Sequence, residues 1–234
     1  MKVHQKIFVA GATGAVGIVL CQLLSRHGFE VFGMTRKQER SEELLSLSVT
    51  PVIADVYDER KLEEIIQVIR PEVVIHQLTD LPFGVPEAKM AEGRIRNAKI
   101  RELGTKNLIA AAVKAGVRRV IAQSIAFMYE SGPKPFIESS PLASEGLRMF
   151  ENQILQSGME GIVLRYGRFY GPRTGFSVLP GVCAVHVDAA AYAALLSIPG
   201  GVGIYNIAED DGEVSIAKAV KELKWDPSFR TGVI

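Results

Sequence analysis

The stretch KIFVAGATGAVGIVL, residues 6–20, constrains this chain more than any other. A short apolar run breaks into three glycines spaced three apart, Gly11, Gly14 and Gly17, and resumes as an apolar helical pattern. A strand that passes through glycines straight into a helix is the context in which such a pattern can receive a phosphate. Gly11 permits the tight turn, Gly14 lets the backbone approach a pyrophosphate, and Gly17 lets the helix lie close on the sheet. The N–H groups that open the helix then face the anion. The plainer alternative is an ordinary glycine-rich turn without a ligand.

The same rhythm continues downstream. KIFVA leads to a helix over 15–27, FEVFGM to one over 41–47, VTPVIAD to one over 58–69, and EVVIHQL to one over 87–115. RRVIAQS at 118–124, a helix near 144–157 and GIVLRYG at 161–167 extend the series. Strands alternating with helices predict βαβ units and a parallel sheet, and the near-continuous apolarity of the strands predicts helices on both faces. The expected fold is therefore α/β, a doubly wound parallel sheet. The Pro/Gly/Ser-rich connection at 130–146 falls on the side where such sheets place ligands. SIAKAVKELKWDPSFR, residues 215–230, reads as one amphipathic helix with a Trp-anchored end.

Composition narrows the partners. With 234 residues, 47% apolar, 23% charged and a net charge of +1, the chain has an ordinary globular balance and no electrostatic case for nucleic acid or an acidic membrane. A small-molecule substrate is expected. Cys21 and Cys183 stand far apart without metal-ligand spacing, so neither a disulfide framework nor a metal site is expected. The opening MKVHQKIFVA lacks a leader-like apolar core, and no window reaches about 18 uninterrupted apolar residues, which makes the cytoplasm the expected location.

GATGAVG, followed in order by ADVYD (54–58), GTKNLIAAA (104–112), RVIAQS, LRYGRFYGP (164–172), HVDAAA (186–191) and YNIAED (205–210), resembles the extended and atypical short-chain dehydrogenases, the sugar-nucleotide epimerase and dehydratase group. The resemblance implies NAD or NADP on a Rossmann fold. By position it places Gly11, Thr13, Gly14, Ala15, Val16 and Gly17 at the phosphates. It sets Asp55 and Val56 beside the adenine, and Gln77, Leu78 and Thr79 along the cofactor after the fourth strand. It also implies residues 1–172 as the dinucleotide-binding core, with 173–234 adding a strand and helices to the same domain. Relatives commonly pair through the helices at 87–115 and 144–157, which implies a possible homodimer.

The end of the second strand bears on which dinucleotide is taken. An acidic residue there would bind the ribose 2′-hydroxyl, but the chain has Thr35, Arg36 and Lys37. A guanidinium suits a 2′-phosphate, so NADP is expected through Arg36, with NAD as the alternative. Arg36 and Lys37 as merely solvated loop charges is the competing view.

The resemblance also implies a Ser or Thr after the fifth strand and a Tyr four residues before a Lys for proton transfer. Here Ile125 stands at the serine position, with Ser124 one place early, and Ala143 and Leu147 stand at the tyrosine and lysine positions. Ser124, Tyr129 and Tyr170 are the candidates for a replacement role. Tyr166, Arg165, Arg168, Glu138 and Lys134 are further cleft-facing groups. His76 and His186 are open to structural or chemical roles, and Asp188 is expected to cap the helix that follows it. Only residues 173–185 separate FYGP from HVD, so the usual substrate cap is expected to be reduced. Two readings follow. One is an NADP-dependent oxidoreductase or epimerase relative acting on a small carbonyl or sugar-nucleotide-like substrate through non-standard acid/base groups. The other is a catalytically silent NADP-binding sensor or regulatory protein, and a shortened relative with little ligand affinity is a third possibility.

Overall fold

The computed structural model of the chain describes residues 5–82 and 87–233, so residues 1–4 lie outside it. Seven strands form one parallel sheet: β1 (Lys6–Ala10), β2 (Glu30–Thr35), β3 (Thr50–Ile53), β4 (Val73–His76), β5 (Arg119–Ile125), β6 (Glu160–Tyr166) and β9 (Gly203–Ile207). Their order, β3-β2-β1-β4-β5-β6-β9, reverses direction between β1 and β4. That reversal opens a crevice at the carboxyl ends of the strands, where doubly wound sheets bind ligands. The fold is a Rossmann-type α/β sheet. A separate two-stranded parallel ribbon pairs β7 (Arg168–Tyr170) with β8 (Ala184–His186).

Alternation along each strand divides the core between two faces. Ile7 and Val9 of β1 join the cluster that holds α1 (Ala15–Arg26) and α7 (Val187–Leu196), whereas Phe8 and Ala10 join the cluster that holds α3 (Glu59–Ile69) and α5 (Thr105–Lys114). Burial of each large apolar side chain stabilises such a core by about 1.5–3 kcal/mol. The remaining helices are α2 (Ser41–Leu45), α4 (Glu87–Lys99) and α6 (Glu145–Leu155). Among the described residues no helix is long and apolar enough to cross a membrane.

Three features differ from the sequence expectation. The helix expected over 87–115 is interrupted by a π-helical turn at Ile100–Gly104. Two contacts accompany it: the Thr105 hydroxyl donates to Ile100 O at 3.2 Å, and Gly104 lies where a Cβ would come within 2.8 Å of the distant Val56 Cγ1. The tail at 215–230 holds only a short helical segment ending in a π-turn at Ala219–Leu223, stopped by left-handed Lys224. Trp225 then turns inward and its Nε1 donates to Ala189 O at 2.8 Å. Finally, α7 is capped by His186, whose Nδ1 accepts from Asp188 N at 3.1 Å, and not by Asp188. Asp188 instead accepts from the backbone N–H and the hydroxyl of Thr231, both at 2.8 Å.

Candidate active site

The glycine loop is tied down by contacts that only glycine permits. Gly11 has φ +89°, and a Cβ on it would lie 2.6 Å from Gln77 O; a Cβ on Gly17 would lie 2.1 Å from Gly11 O. Gly14 differs. Its φ is an ordinary −70°, and the nearest atom to an added Cβ is Gly11 O at 3.3 Å. As N-cap of α1 it offers no side chain, so the first-turn N–H groups of Ala15, Val16 and Gly17 have no side-chain cap.

Gly11, Thr13 and Gly14 line one cleft with Arg36, Asp55, Val56, Gln77, Leu78 and Thr79. Ala15, Val16 and Gly17 form the first turn of α1 beside it. The structure adds Lys37, Arg40, Tyr57 and Ile100 to this lining. Arg40 was not legible in the sequence, where it reads as one more surface charge in a polar run. Its Nη2 donates to Thr13 O at 3.1 Å, and its Nε to Glu43 Oε2 at 2.8 Å. Glu43 also pairs with Arg173 from the segment joining β7 to β8. Burial alone would raise the Glu43 pKa, but hydrogen bonds from Arg173 and Arg40 reverse this and hold it below the usual carboxylate value.

Arg36 is half exposed and faces Asp80 at 3.7 Å, a surface pair of little energetic weight. Thr35, where an acidic residue would bind a ribose, brings its hydroxyl to 3.3 Å from the Thr13 hydroxyl. The uncapped helix and the space before Gly14 fit the pyrophosphate of a dinucleotide, and Arg36, Lys37 and Arg40 line the same cleft. Among the described residues no group of three His, Cys, Asp or Glu side chains is placed to hold a metal ion.

At the carboxyl ends of β5 and β6 lies a different environment. Ser124 is fully buried and its Oγ donates to Glu151 Oε1 at 2.7 Å. Glu151 is clasped by Arg165, with Nε at 2.9 Å and Nη2 at 2.6 Å. Arg165 Nη1 donates to the Tyr129 hydroxyl at 2.9 Å, which donates onward to Asn206 Oδ1 at 2.6 Å. Ser124 and Tyr129 thus meet in one buried polar network with both functions of the Tyr129 hydroxyl taken. Burial pushes the Tyr129 pKa up.

Tyr170 stands apart from them. It donates to Glu209 at 2.7 Å and accepts from Arg230 at 2.8 Å, and burial followed by the Glu209 hydrogen bond pushes its pKa up to about 12. Tyr166 is buried and bonds to Ala190 O, and Glu138 accepts from Asn206 N. Lys134 pairs with Glu213 at 2.5 Å.

His76 is buried as a neutral ring. Leu78 N–H donates to its Nδ1 at 3.3 Å, so Nε2 carries the proton and donates to the Thr105 hydroxyl at 2.9 Å. Ile125 ends β5, Ala143 is exposed, and Leu147 is buried in the first turn of α6. None of these three can exchange a proton. The segment between β7 and β8 carries Phe176, Val178, Leu179 and Val182 exposed to solvent.

Comparison with known proteins agrees with this geometry. A 3-diazoavenalumate denitrifying reductase of Streptomyces sp is 34% identical over 230 residues, covering 93% of this chain and 72% of that protein. Two solved structures share the fold. A UDP-glucose 4-epimerase with UDP-glucose from Thermotoga maritima has a TM-score of 0.78 at 21% identity, covering 97% of this chain and 94% of that one. A Thermus thermophilus UDP-glucose 4-epimerase in complex with NAD has a TM-score of 0.73 at 22% identity, covering 95% and 85%. With residues 7–189 matching its profile, from β1 into α7, the chain belongs to the NAD dependent epimerase/dehydratase family, whose cofactor is a nicotinamide dinucleotide.

Proposed function

We propose that the chain is an NADP(H)-dependent reductase that delivers hydride to an acceptor needing no proton from the protein. The observation that carries this reading is the replacement of the expected proton-transfer groups by Ile125, Ala143 and Leu147, with Ser124 and Tyr129 committed to Glu151, Arg165 and Asn206. Reduction of a carbonyl needs a general acid, which commonly contributes 10² to 10⁴ in rate. An aryl diazonium carbon does not: it takes up hydride, a C–H bond forms, the C–N bond breaks with its electron pair leaving in dinitrogen, and the charges of hydride and diazonium cancel. The Streptomyces relative is named for a substrate of this class, which supports the same chemistry here.

When bound, the dinucleotide supplies the hydride. The chain's own residues hold it: the α1 N-terminus and Gly14 receive the pyrophosphate, and Arg36, aided by Lys37 and Arg40, receives the 2′-phosphate. Thr35 in place of an acidic residue supports NADP over NAD. The test is anaerobic NADPH oxidation with an aryl diazonium carboxylate, an aromatic aldehyde and UDP-glucose, with dinitrogen followed by mass spectrometry. The expected result is stoichiometric NADPH loss and gas release with the diazonium alone. Turnover of the aldehyde or the sugar nucleotide instead would overturn the reading, and tight NADPH binding with no turnover of any acceptor would favour a sensor.

A further inference from the structure

Arginines around the carboxyl ends of the strands are paired with acids: Arg165 with Glu151, Arg173 with Glu43, Arg230 with Glu209 and Arg36 with Asp80. Arg168 has no such partner, and unlike the mostly buried Arg101 it is open to solvent. It opens β7, two residues beyond the end of β6, is exposed, and forms no ion pair among the described residues. Its guanidinium lies over the ring of Phe127 at 4.3 Å, and Phe127 stands two residues beyond the end of the neighbouring strand β5. Among the described residues the guanidinium makes one hydrogen bond, from Nη1 to Val182 O at 3.0 Å, which leaves Nη2 and Nε for another acceptor. Val182 is 57% exposed and closes the apolar run that includes Val178 and Leu179. The acids nearest this corner are engaged elsewhere: Asp211 accepts from Cys183 N and Glu213 N, and Glu213 pairs with Lys134.

The geometry points to Arg168, held over the ring of Phe127 beside the apolar run at 178–182, as the anchor for the carboxylate of a planar aromatic substrate. This rests on the reductase reading and names its substrate class. A planar fork presents two parallel donors to a carboxylate, and stacking on an aromatic ring fixes its orientation at little entropic cost. The exposed side chains of Val178, Leu179 and Val182 supply the apolar surface for an aromatic body. A nucleotide sugar is poorly matched to this corner, which offers one cation and hydrocarbon where sugar hydroxyls need many hydrogen bonds.

The experiment is calorimetric titration of the intact protein with 4-hydroxycinnamate and with its methyl ester, in the wild type, Arg168→Gln and Arg168→Lys. Wild type should bind the acid at least tenfold more tightly than the ester. Arg168→Gln should abolish that preference, and Arg168→Lys should restore part of it. NADPH affinity and the thermal midpoint should stay unchanged in both variants, which establishes that they fold. Equal binding of acid and ester by the wild type, or a preference that survives Arg168→Gln, overturns the assignment. NADPH oxidation by a diazo acceptor is read separately. Turnover without acid preference removes Arg168 alone, whereas acid preference without turnover removes the reductase reading and leaves the anchor in place.

Discussion

Ser124 Oγ donates to Glu151 Oε1 at 2.7 Å inside the protein, and Glu151 is itself held by Arg165. A serine in this position is therefore a structural donor to a buried carboxylate. Ser124→Ala is expected to lower unfolding free energy by about 1.5–3 kcal/mol, the range for a hydrogen bond to a charged group, while NADPH turnover per folded molecule is unchanged. Urea unfolding and initial rates on one preparation check both halves. A large fall in turnover number with stability intact would return Ser124 to the chemistry.

Breaking the ion pair beneath it should cost more. Arg165 and Glu151 side chains are each 4% exposed, so Glu151→Ala strands a buried guanidinium. The expected loss is about 3–5 kcal/mol, enough to lower the thermal midpoint by many degrees. A midpoint within a degree of wild type would mean that water reaches Arg165 freely.

Gly14→Val should abolish dinucleotide binding and leave the fold intact. The backbone at Gly14 has φ −70°, which valine adopts, and an added Cβ approaches only Gly11 O at 3.3 Å, so a small loop adjustment admits it while its branches fill the space that the pyrophosphate requires. Circular dichroism and NADPH fluorescence titration decide the matter, and normal binding by the variant would place the phosphates elsewhere.

Arg36→Ala should weaken NADP by roughly 1.5–3 kcal/mol and leave NAD nearly untouched, because only NADP carries the ribose 2′-phosphate beside Arg36, while both share the pyrophosphate. Calorimetry with both dinucleotides tests this. An equal loss for the two would assign Arg36 to a shared part of the ligand.

Acid sensitivity should trace in part to His76, whose pKa is pushed down to about 4 by burial and then by the charge of Arg101. The unfolded chain takes up this proton near pH 6.5, before the folded one can. Stability is thus at its plateau above about pH 6.5, falls as pH drops towards about 4, and loses no more on this account below that. The full loss is of order 3 kcal/mol. Urea unfolding at about pH 7 and about pH 4.5 should show a smaller drop in His76→Gln than in wild type, and equal drops would clear His76.

The sheet was legible because its information is local. The run at residues 6–20 carries strand, turn and helix in one window, and each later strand announces itself by β-branched apolarity. What was not legible depends on pairs far apart in sequence. Nothing near Ser124 signals that its partner is Glu151, and nothing near Arg40 signals that it reaches back to Thr13 O. The π-turn at Ile100–Gly104 answers to Val56, some fifty residues earlier, and the tail at 215–230 keeps a helical pattern although Trp225 leaves the helix axis to reach Ala189. Local periodicity is blind to such contacts, and the polar network at the ends of β5 and β6 consists of them.

The packing of α7 on α1, pinned by Trp225, has a consequence in time. The glycine loop and α1 leave the ribosome early, yet the surface that covers the outer side of α1 is made from residues 187–225. At about 5–20 residues per second, roughly 10 to 40 s of synthesis separate the two. Through that interval the apolar side chains of α1 that later face α7 lack their partners. The glycine loop is thus made well before the segment that completes the packing of the helix behind it.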